Sequence, residues 1–220
     1  MTDTMTVLQV ERLSDDLSGV RLTQIDRPRP EPGEVVVKVE AASLNYPDLL
    51  MTRGEYQLKP ELPFTLGGDF AGTVVGSDAG EFAPGTKVWG LARGAFAEYV
   101  SASSASLGLL PHGFDMAAGA AFPTAYLTAY VALVERARVQ PGDWVFVHGA
   151  SGGMGLAAVD LARALDARVI ATSSDPAKLA PIAELYEVEA TLDVTNGFRE
   201  EVLALTGGRG ADVVFDPVNG

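Results

Sequence analysis

The sequence contains no cysteine and only two histidines, His112 and His148. Disulfides, thiolate nucleophiles and cysteine-ligated zinc or iron–sulfur centres are thereby excluded. The two imidazoles stand far apart, neither with a carboxylate at metal-site spacing, which argues against a dedicated transition-metal site. Basic residues are also scarce: 16 Lys and Arg against 29 Asp and Glu leave a formal charge of −13. Such a surface repels polyphosphate and anionic lipid, so neither nucleic acid nor membrane is an expected partner. The first ten residues lack the basic and apolar regions of a secretory signal, and a cytoplasmic location is the default expectation. One uncharged stretch, residues 116–134, is long enough for a membrane span, but Pro123 divides it and Thr124, Tyr126, Thr128 and Tyr130 punctuate it. It reads as a buried helix starting near Pro123.

What is present is the composition of a folded protein. At 220 residues, 47% hydrophobic and 20% charged, the chain can bury a core without staples. Its first half reads as β-rich. Val35, Val37 and Val39 alternate with Val36, Lys38 and Glu40, the pattern of a strand covered on one face. Further strands are expected at residues 70–75, 87–91 and 95–100, separated by Gly and Pro turns, which suggests a small barrel or sandwich.

From about Pro123 the rhythm becomes alternating helix and strand. A helix through Arg136 leads to a turn at 140–143, a strand at 144–147, a glycine-rich turn and a helix at about 151–165. A strand at 168–172 follows, then Asp175-Pro176 as a cap, a helix to Tyr186, a strand at 190–192, a helix at 198–205 and a strand at 212–215. Successive β-α-β units imply a parallel sheet wrapped by helices, so the fold class is α/β with domains at 1–122 and 123–220.

The turn Gly149-Ala150-Ser151-Gly152-Gly153-Met154-Gly155 lies where an apolar strand becomes a helix. Gly152 and Gly155 hold the second and third positions of G-x-G-x-x-G, with Ala150 at the first. Gly152 lets the main chain approach a pyrophosphate, Gly155 lets helix and strand pack closely, and the helix N-terminus offers N–H groups to the anion. No Lys-Ser/Thr follows at P-loop spacing, so the reading is a dinucleotide site rather than a nucleoside triphosphate site. NAD-binding folds carry an acid at the end of the second strand. Here that place reads Thr172-Ser173-Ser174, with Lys178 a turn further on. Two hydroxyls and an ammonium suit a 2′-phosphate, which favours NADPH over NADH. The rival is Asp175 reaching a free 2′-OH, although Pro176 gives it the look of a helix cap.

Several motifs in order resemble the medium-chain dehydrogenase/reductase superfamily and its zinc-independent quinone oxidoreductase branch. They are Ala42-Ser-Leu-Asn45-Tyr-Pro-Asp48 with Arg53-Gly54-Glu-Tyr56, Pro63-Phe-Thr-Leu-Gly67-Gly-Asp69-Phe-Ala-Gly72, Gly94-Ala-Phe-Ala-Glu-Tyr-Val100 and Pro141-Gly-Asp143. Zinc-dependent members carry cysteine in the first loop and Gly-His-Glu in the second. Asn45 and Gly67-Gly68-Asp69 stand there instead, which implies direct hydride transfer without a Lewis-acid metal.

The resemblance implies a GroES-like partial β-barrel followed by a Rossmann-type sheet. It places Asn45, Tyr46, Asp48 and Tyr56 in a substrate loop and Thr128 against the nicotinamide. Asn45 and Thr128 would hydrogen-bond substrate or carboxamide, Tyr56 would line the pocket and Tyr46 could donate a proton. The alternatives are that Asp48 braces its loop, Tyr46 packs and Thr128 back-bonds within its helix. Asp160, where relatives often have Gln, reads as a surface change, and Val194 stands where relatives often have an aromatic.

The expected reaction is hydride transfer from NADPH to a quinone. Reduction of an enone or alkenal C=C bond is the alternative, and a non-catalytic NADPH-binding protein a third reading. Only four parallel strands can be assigned where a complete Rossmann sheet has six. The expectation is therefore a sheet truncated after Asp216-Pro-Val-Asn-Gly220, with the cofactor's phosphate site present, the active cleft incomplete, and a homodimer for the full-length protein.

Overall fold

Strand β1 (Thr4–Val10) opens the computed structural model, which describes residues 3–195 and 197–218. Of the stretch 216–220 named above, Asn219 and Gly220 lie outside the described residues. Two compact units, Met1–Thr124 and Ala125–Gly220, each carry their own sheets.

In the first unit, β1 pairs antiparallel with β2 (Val20–Asp26) and β4 (Phe64–Thr65). Met5, Val7 and Val10 of β1 are buried, whereas Leu22 of β2 is 74% exposed. This hairpin was not legible in the sequence, because β2 has no inward-facing apolar series. A second, five-stranded antiparallel sheet has the order β7 (Tyr99–Ser103), β3 (Glu34–Ser43), β5 (Asp69–Ser77), β6 (Lys87–Leu91), β8 (Leu107–Leu109). Val35, Val37, Phe70, Val74, Val88 and Val100 form its core.

Two expectations fail here. Val36, assigned to the outer face of β3, is buried, and the pairing of β3 with β5 shifts register between Val36 and Val37. A bulge of that kind breaks strict alternation. The strand expected at 95–100 begins at Tyr99, with Ala97 contributing an isolated bridge to Val7.

The substrate loop is partly helical, as α1 (Tyr46–Arg53). Asn45 is its extended N-cap, Pro47 sits in its first turn, and the Asp48 carboxylate accepts the Asn45 N–H at 2.8 Å. Gly54 ends it at φ 71°, the left-handed conformation glycine adopts without strain.

Helix α2 (Met116–Tyr130) starts a full two turns before Pro123, which lies inside it, and continues as a π-helical turn to Arg136. The start signal is Asp115, whose carboxylate accepts the Ala118 N–H at 2.8 Å. Proline removes the ladder donor for the Gly119 carbonyl, and the next N–H, that of Thr124, donates to Asp69 at 3.1 Å. The helix is not buried throughout: Ala120, Ala129 and Leu133 are, while Leu127, Tyr130 and Val131 are 38–48% exposed. By length and composition Met116–Arg136 is apolar enough to cross a membrane.

The second unit holds one parallel sheet in the order β11 (Ala190–Asp193), β10 (Arg168–Ser173), β9 (Trp144–Val147), β12 (Val213–Phe215). The central β9 is buried on both faces. Val145 and Val147 pack among Ala157, Ala158, Val159 and Ala162 of α3 (Gly153–Ala164) and Ile182 of α4 (Leu179–Tyr186). Trp144 and Phe146 pack on Val202 of α5 (Arg199–Leu205). Helices on both faces of a strand order 3-2-1-4 are the arrangement the β-α-β rhythm implied.

Candidate functional site

The first unit contains a cavity of about 480 Å³ whose wall includes Asn45, Asp48, Tyr56, Phe64, Leu91 and Arg93. Its polar floor is built around Asp69, at the start of β5 and fully buried. The Asp69 carboxylate accepts the Asn45 side-chain amide at 3.0 Å, the Thr124 N–H at 3.1 Å and the Thr124 hydroxyl at 2.6 Å. A buried carboxylate needs such a donor set, since an unpaired charge there is strongly disfavoured. Asp48 is also buried. Burial pushes its carboxyl up from the usual value, the charge of Asp69 adds to this, and N–H bonds from Asn45 and Gly67 oppose it.

The structure thus brings Asn45, Asp48 and Tyr56 to one cavity. Tyr46 is elsewhere: it is 69% exposed and borders a second, apolar cavity of about 550 Å³. Asp69 and Thr124 had been given no role in the sequence reading, although Gly-Gly-Asp at the head of an apolar strand was a signal for a buried acid. Asp48 and Asp69 are engaged by N–H and O–H donors, and no cluster of three or more His, Cys, Asp or Glu among the described residues is placed to hold a metal.

In the second unit, β9 turns into α3 through Gly149, at φ 62°. The Ala150 N–H donates to Thr172 O at 2.8 Å and the Gly152 N–H to Gly149 O at 3.0 Å, which fixes the turn. The helix ladder begins with the Leu156 N–H donating to Gly152 O. The N–H groups of Gly153, Met154 and Gly155 precede that bond, and N-cap Gly152 brings no side chain to meet them. A Cβ on Gly155 would lie 2.3 Å from Gly149 O, so glycine is required for the close approach; a Cβ on Gly153 would meet nothing within 4 Å. First-turn N–H groups with no capping side chain are the donors that a pyrophosphate takes.

At the end of β10, Thr172 and Ser173 point inward. The Thr172 hydroxyl donates to Val147 O at 3.0 Å, and Ser173 Oγ accepts the Asp175 N–H at 3.1 Å and lies 3.3 Å from Ser151 Oγ. Ser174 and Lys178 are exposed. Asp175 acts as the cap the sequence suggested, accepting the Ala177 N–H at 3.1 Å, and its other oxygen lies 3.6 Å from Lys178 Nζ. Thr128 is exposed on α2. Asp160 is more than a surface change: its carboxylate accepts the Tyr126 hydroxyl at 2.6 Å. Burial, and then this bond and the carboxylate's charge, push the Tyr126 phenol far above its usual value.

Comparison with known proteins accords with this layout. Residues 31–112 match the alcohol dehydrogenase GroES-like domain, and residues 153–220 match the family described as zinc-binding dehydrogenase. The chain is 36% identical over 213 residues to a mycocerosic acid synthase-like polyketide synthase of Mycobacterium tuberculosis, covering 95% of this chain and 10% of that protein. It is 35% identical over 195 residues to a quinone oxidoreductase of Pongo abelii, covering 86% of this chain and 59% of the relative.

Among solved structures, a probable oxidoreductase from Mycobacterium abscessus superimposes with a TM-score of 0.91 at 34% identity, over 99% of this chain and 70% of that one. CurK enoyl reductase gives 0.88 at 26%, over 99% and 68%. Mycobacterial Rv1454c, solved in complex with NADPH, gives 0.88 at 31%, over 97% and 66%. An antiparallel GroES-like unit followed by a parallel Rossmann-like sheet, matched in sequence and in fold, places the chain in the medium-chain dehydrogenase/reductase superfamily.

Proposed function

We propose that this chain provides the acceptor pocket and the nucleotide turn of an NADPH-dependent reductase acting on a planar, electron-poor conjugated acceptor. The observation that carries the reading is the mostly apolar cavity of the first unit, with the Asn45 amide held at its polar floor by Asp69. Bound NADPH would supply hydride; the residues of this chain hold and orient the reactants. Gly152 to Gly155 would hold the pyrophosphate, and the exposed Ser174 and Lys178 the 2′-phosphate. Asn45, fixed by its side chain and its N–H, would turn to an acceptor oxygen the amide hydrogen that otherwise makes only a long 3.5 Å bond to Ser43 O. We read the pocket as working without a metal, a reading supported by the donors that Asp48 and Asp69 already accept.

A quinone is the first acceptor to consider, supported by the quinone oxidoreductase relative. A second reading, reduction of an activated C=C bond, is supported by the likeness to CurK enoyl reductase.

Calorimetric titration of the purified chain with NADPH and NADH, and resonance perturbation by 1,4-naphthoquinone and crotonyl-pantetheine, test the proposal. NADPH is expected to bind more tightly than NADH, and at least one acceptor to perturb Asn45, Tyr56 and Leu91. Equal binding of the two nucleotides would overturn the NADPH assignment. No perturbation by either acceptor would overturn the pocket assignment.

A further inference from the structure

Asp69 and Asn45 are each anchored by their backbone, which leaves two side-chain rotations to be fixed. Asp69 lies in β5 between partners on both sides, Ser43 of β3 and Leu91 of β6. Asn45 is the N-cap of α1, and its N–H is bonded to the Asp48 carboxylate. What the backbone does not set is the turn of the Asp69 carboxylate about its last bond, a torsion with broad wells, and with it the direction of the Asn45 amide.

A carboxylate plane is fixed when both of its oxygens are held. Asn45 reaches one of them, its amide nitrogen donating to Asp69 Oδ2 at 3.0 Å. Thr124 reaches both, with its N–H on Oδ2 at 3.1 Å and its hydroxyl on Oδ1 at 2.6 Å. Pro123 interrupts the α2 ladder immediately before this N–H. Hydrogen bonds to an ionised acceptor are the strong ones, so Thr124 grips Asp69 at two points from a third element of the fold. With the carboxylate held, the Asn45 amide cannot turn its oxygen toward it, because a carboxylate only accepts. One amide hydrogen is spent on Asp69, and the second has only the 3.5 Å bond to Ser43 O. Thr124 also belongs to the cavity wall, but its N–H and its hydroxyl hydrogen are both committed to Asp69.

We propose that Thr124 is a positioning residue for acceptor reduction, which acts through Asp69 to lock the Asn45 amide with its second hydrogen available to the acceptor oxygen. This rests on the cavity being the acceptor site proposed above. The lock matters because a donor already aligned before binding loses less freedom when the acceptor arrives.

The test is a double-mutant cycle between Thr124→Val and Asn45→Ala on the purified chain, read by the dissociation constant of 1,4-naphthoquinone, with Thr124→Ser as the conservative variant. Thr124→Val removes the hydroxyl donor and keeps the side-chain shape. It is expected to weaken 1,4-naphthoquinone binding about fivefold, and to cause no further loss in the Asn45→Ala background. Thr124→Ser should bind as the wild type does. The Asn45 side-chain amide resonances supply a signature that a purely structural role would not move: they should shift and exchange faster with water in Thr124→Val and stay in place in Thr124→Ser. In the unaltered chain the Thr124 hydroxyl hydrogen, bonded to a carboxylate at 2.6 Å, should appear as a downfield resonance protected from exchange.

An equal loss from Thr124→Val in the wild-type and Asn45→Ala backgrounds overturns the proposal, since it is the result expected of a threonine that merely lines the cavity. A Thr124 hydroxyl hydrogen in free exchange with water also overturns it, and that measurement needs no variant to fold. If Asn45→Ala binds 1,4-naphthoquinone as the wild type does, the acceptor role of Asn45 fails and the proposal with it. An Asn45→Ala loss without a Thr124→Val loss overturns the proposal alone and leaves the acceptor role of Asn45 standing.

Discussion

The Asn45 side-chain amide donates to the buried Asp69 carboxylate over 3.0 Å, joining the N-cap of α1 to the first residue of β5. Replacing Asp69 with Ala would strand the amide and the Thr124 N–H and hydroxyl without an acceptor. Buried donors left unpaired make this change destabilising by about 3 kcal/mol or more. Asp69→Asn keeps the shape but turns an NH2 toward donors, a loss of about 1 to 2 kcal/mol. Urea unfolding of the two variants checks both the order and the size.

Asp48 gives a pH signature. Its folded carboxyl lies above the ordinary value of 3.8 because burial disfavours the charged form. With the folded value raised, the stability this group contributes is fully present below the unfolded value. It is lost as pH rises through the folded one. Asp48→Asn removes that dependence. The variant's stability relative to wild type should therefore improve from pH near 3.8 upward and level off once the carboxyl has ionised. Equilibrium unfolding across that range measures it, and a flat difference would contradict the assignment.

The glycine turn separates packing from binding. At Gly155 an added Cβ would meet the Gly149 O at 2.3 Å and the Ala150 Cα at 2.7 Å, both backbone, so Gly155→Ala must displace the helix start. A loss of about 2 kcal/mol in stability and a weakening of NADPH binding are expected together. At Gly153 the Cβ has open space, so Gly153→Ala should leave thermal stability unchanged. It should still weaken NADPH if the pyrophosphate lies against it, and calorimetry alongside thermal unfolding tells the two effects apart.

Lys178 supplies the specificity test. Its ion pair with Asp175 is 3.6 Å long and half exposed, so losing it has little effect on folding. Lys178→Ala should leave the melting temperature unchanged and reduce the preference for NADPH over NADH by about tenfold. An unchanged preference would remove Lys178 from the 2′-phosphate site.

The parts of this fold that the sequence made legible are those where side-chain pattern and backbone demand coincide. Strands at 87–91 and 144–147 fall on β6 and β9 to the residue, and the glycine turn joins β9 to α3. The failures share a cause. In α2 every face is apolar, so composition could not say which face is covered, and Pro123 drew the expected start away from the true cap at Asp115. Helix α1 was not expected because the family resemblance read residues 42–48 as part of a substrate loop, although proline in a helix's first turn, after Asn45 and before Asp48, is a start signal. The cavity's charged residues were hardest to see. Asp69 acquires its donors from Asn45 and Thr124, 24 residues before it and 55 after it, a relation that no local pattern carries.

The Thr124 bond to Asp69 also bears on how α2 can move. Just where proline interrupts the helix's own ladder, the next backbone N–H is committed to a buried anion on a neighbouring strand. Opening the helix at that point would uncover a carboxylate with two of its three donors gone. Fraying from Met116 should therefore stop before Thr124, and amide exchange along α2 should show a step in protection at the residue after the proline rather than a gradual slope.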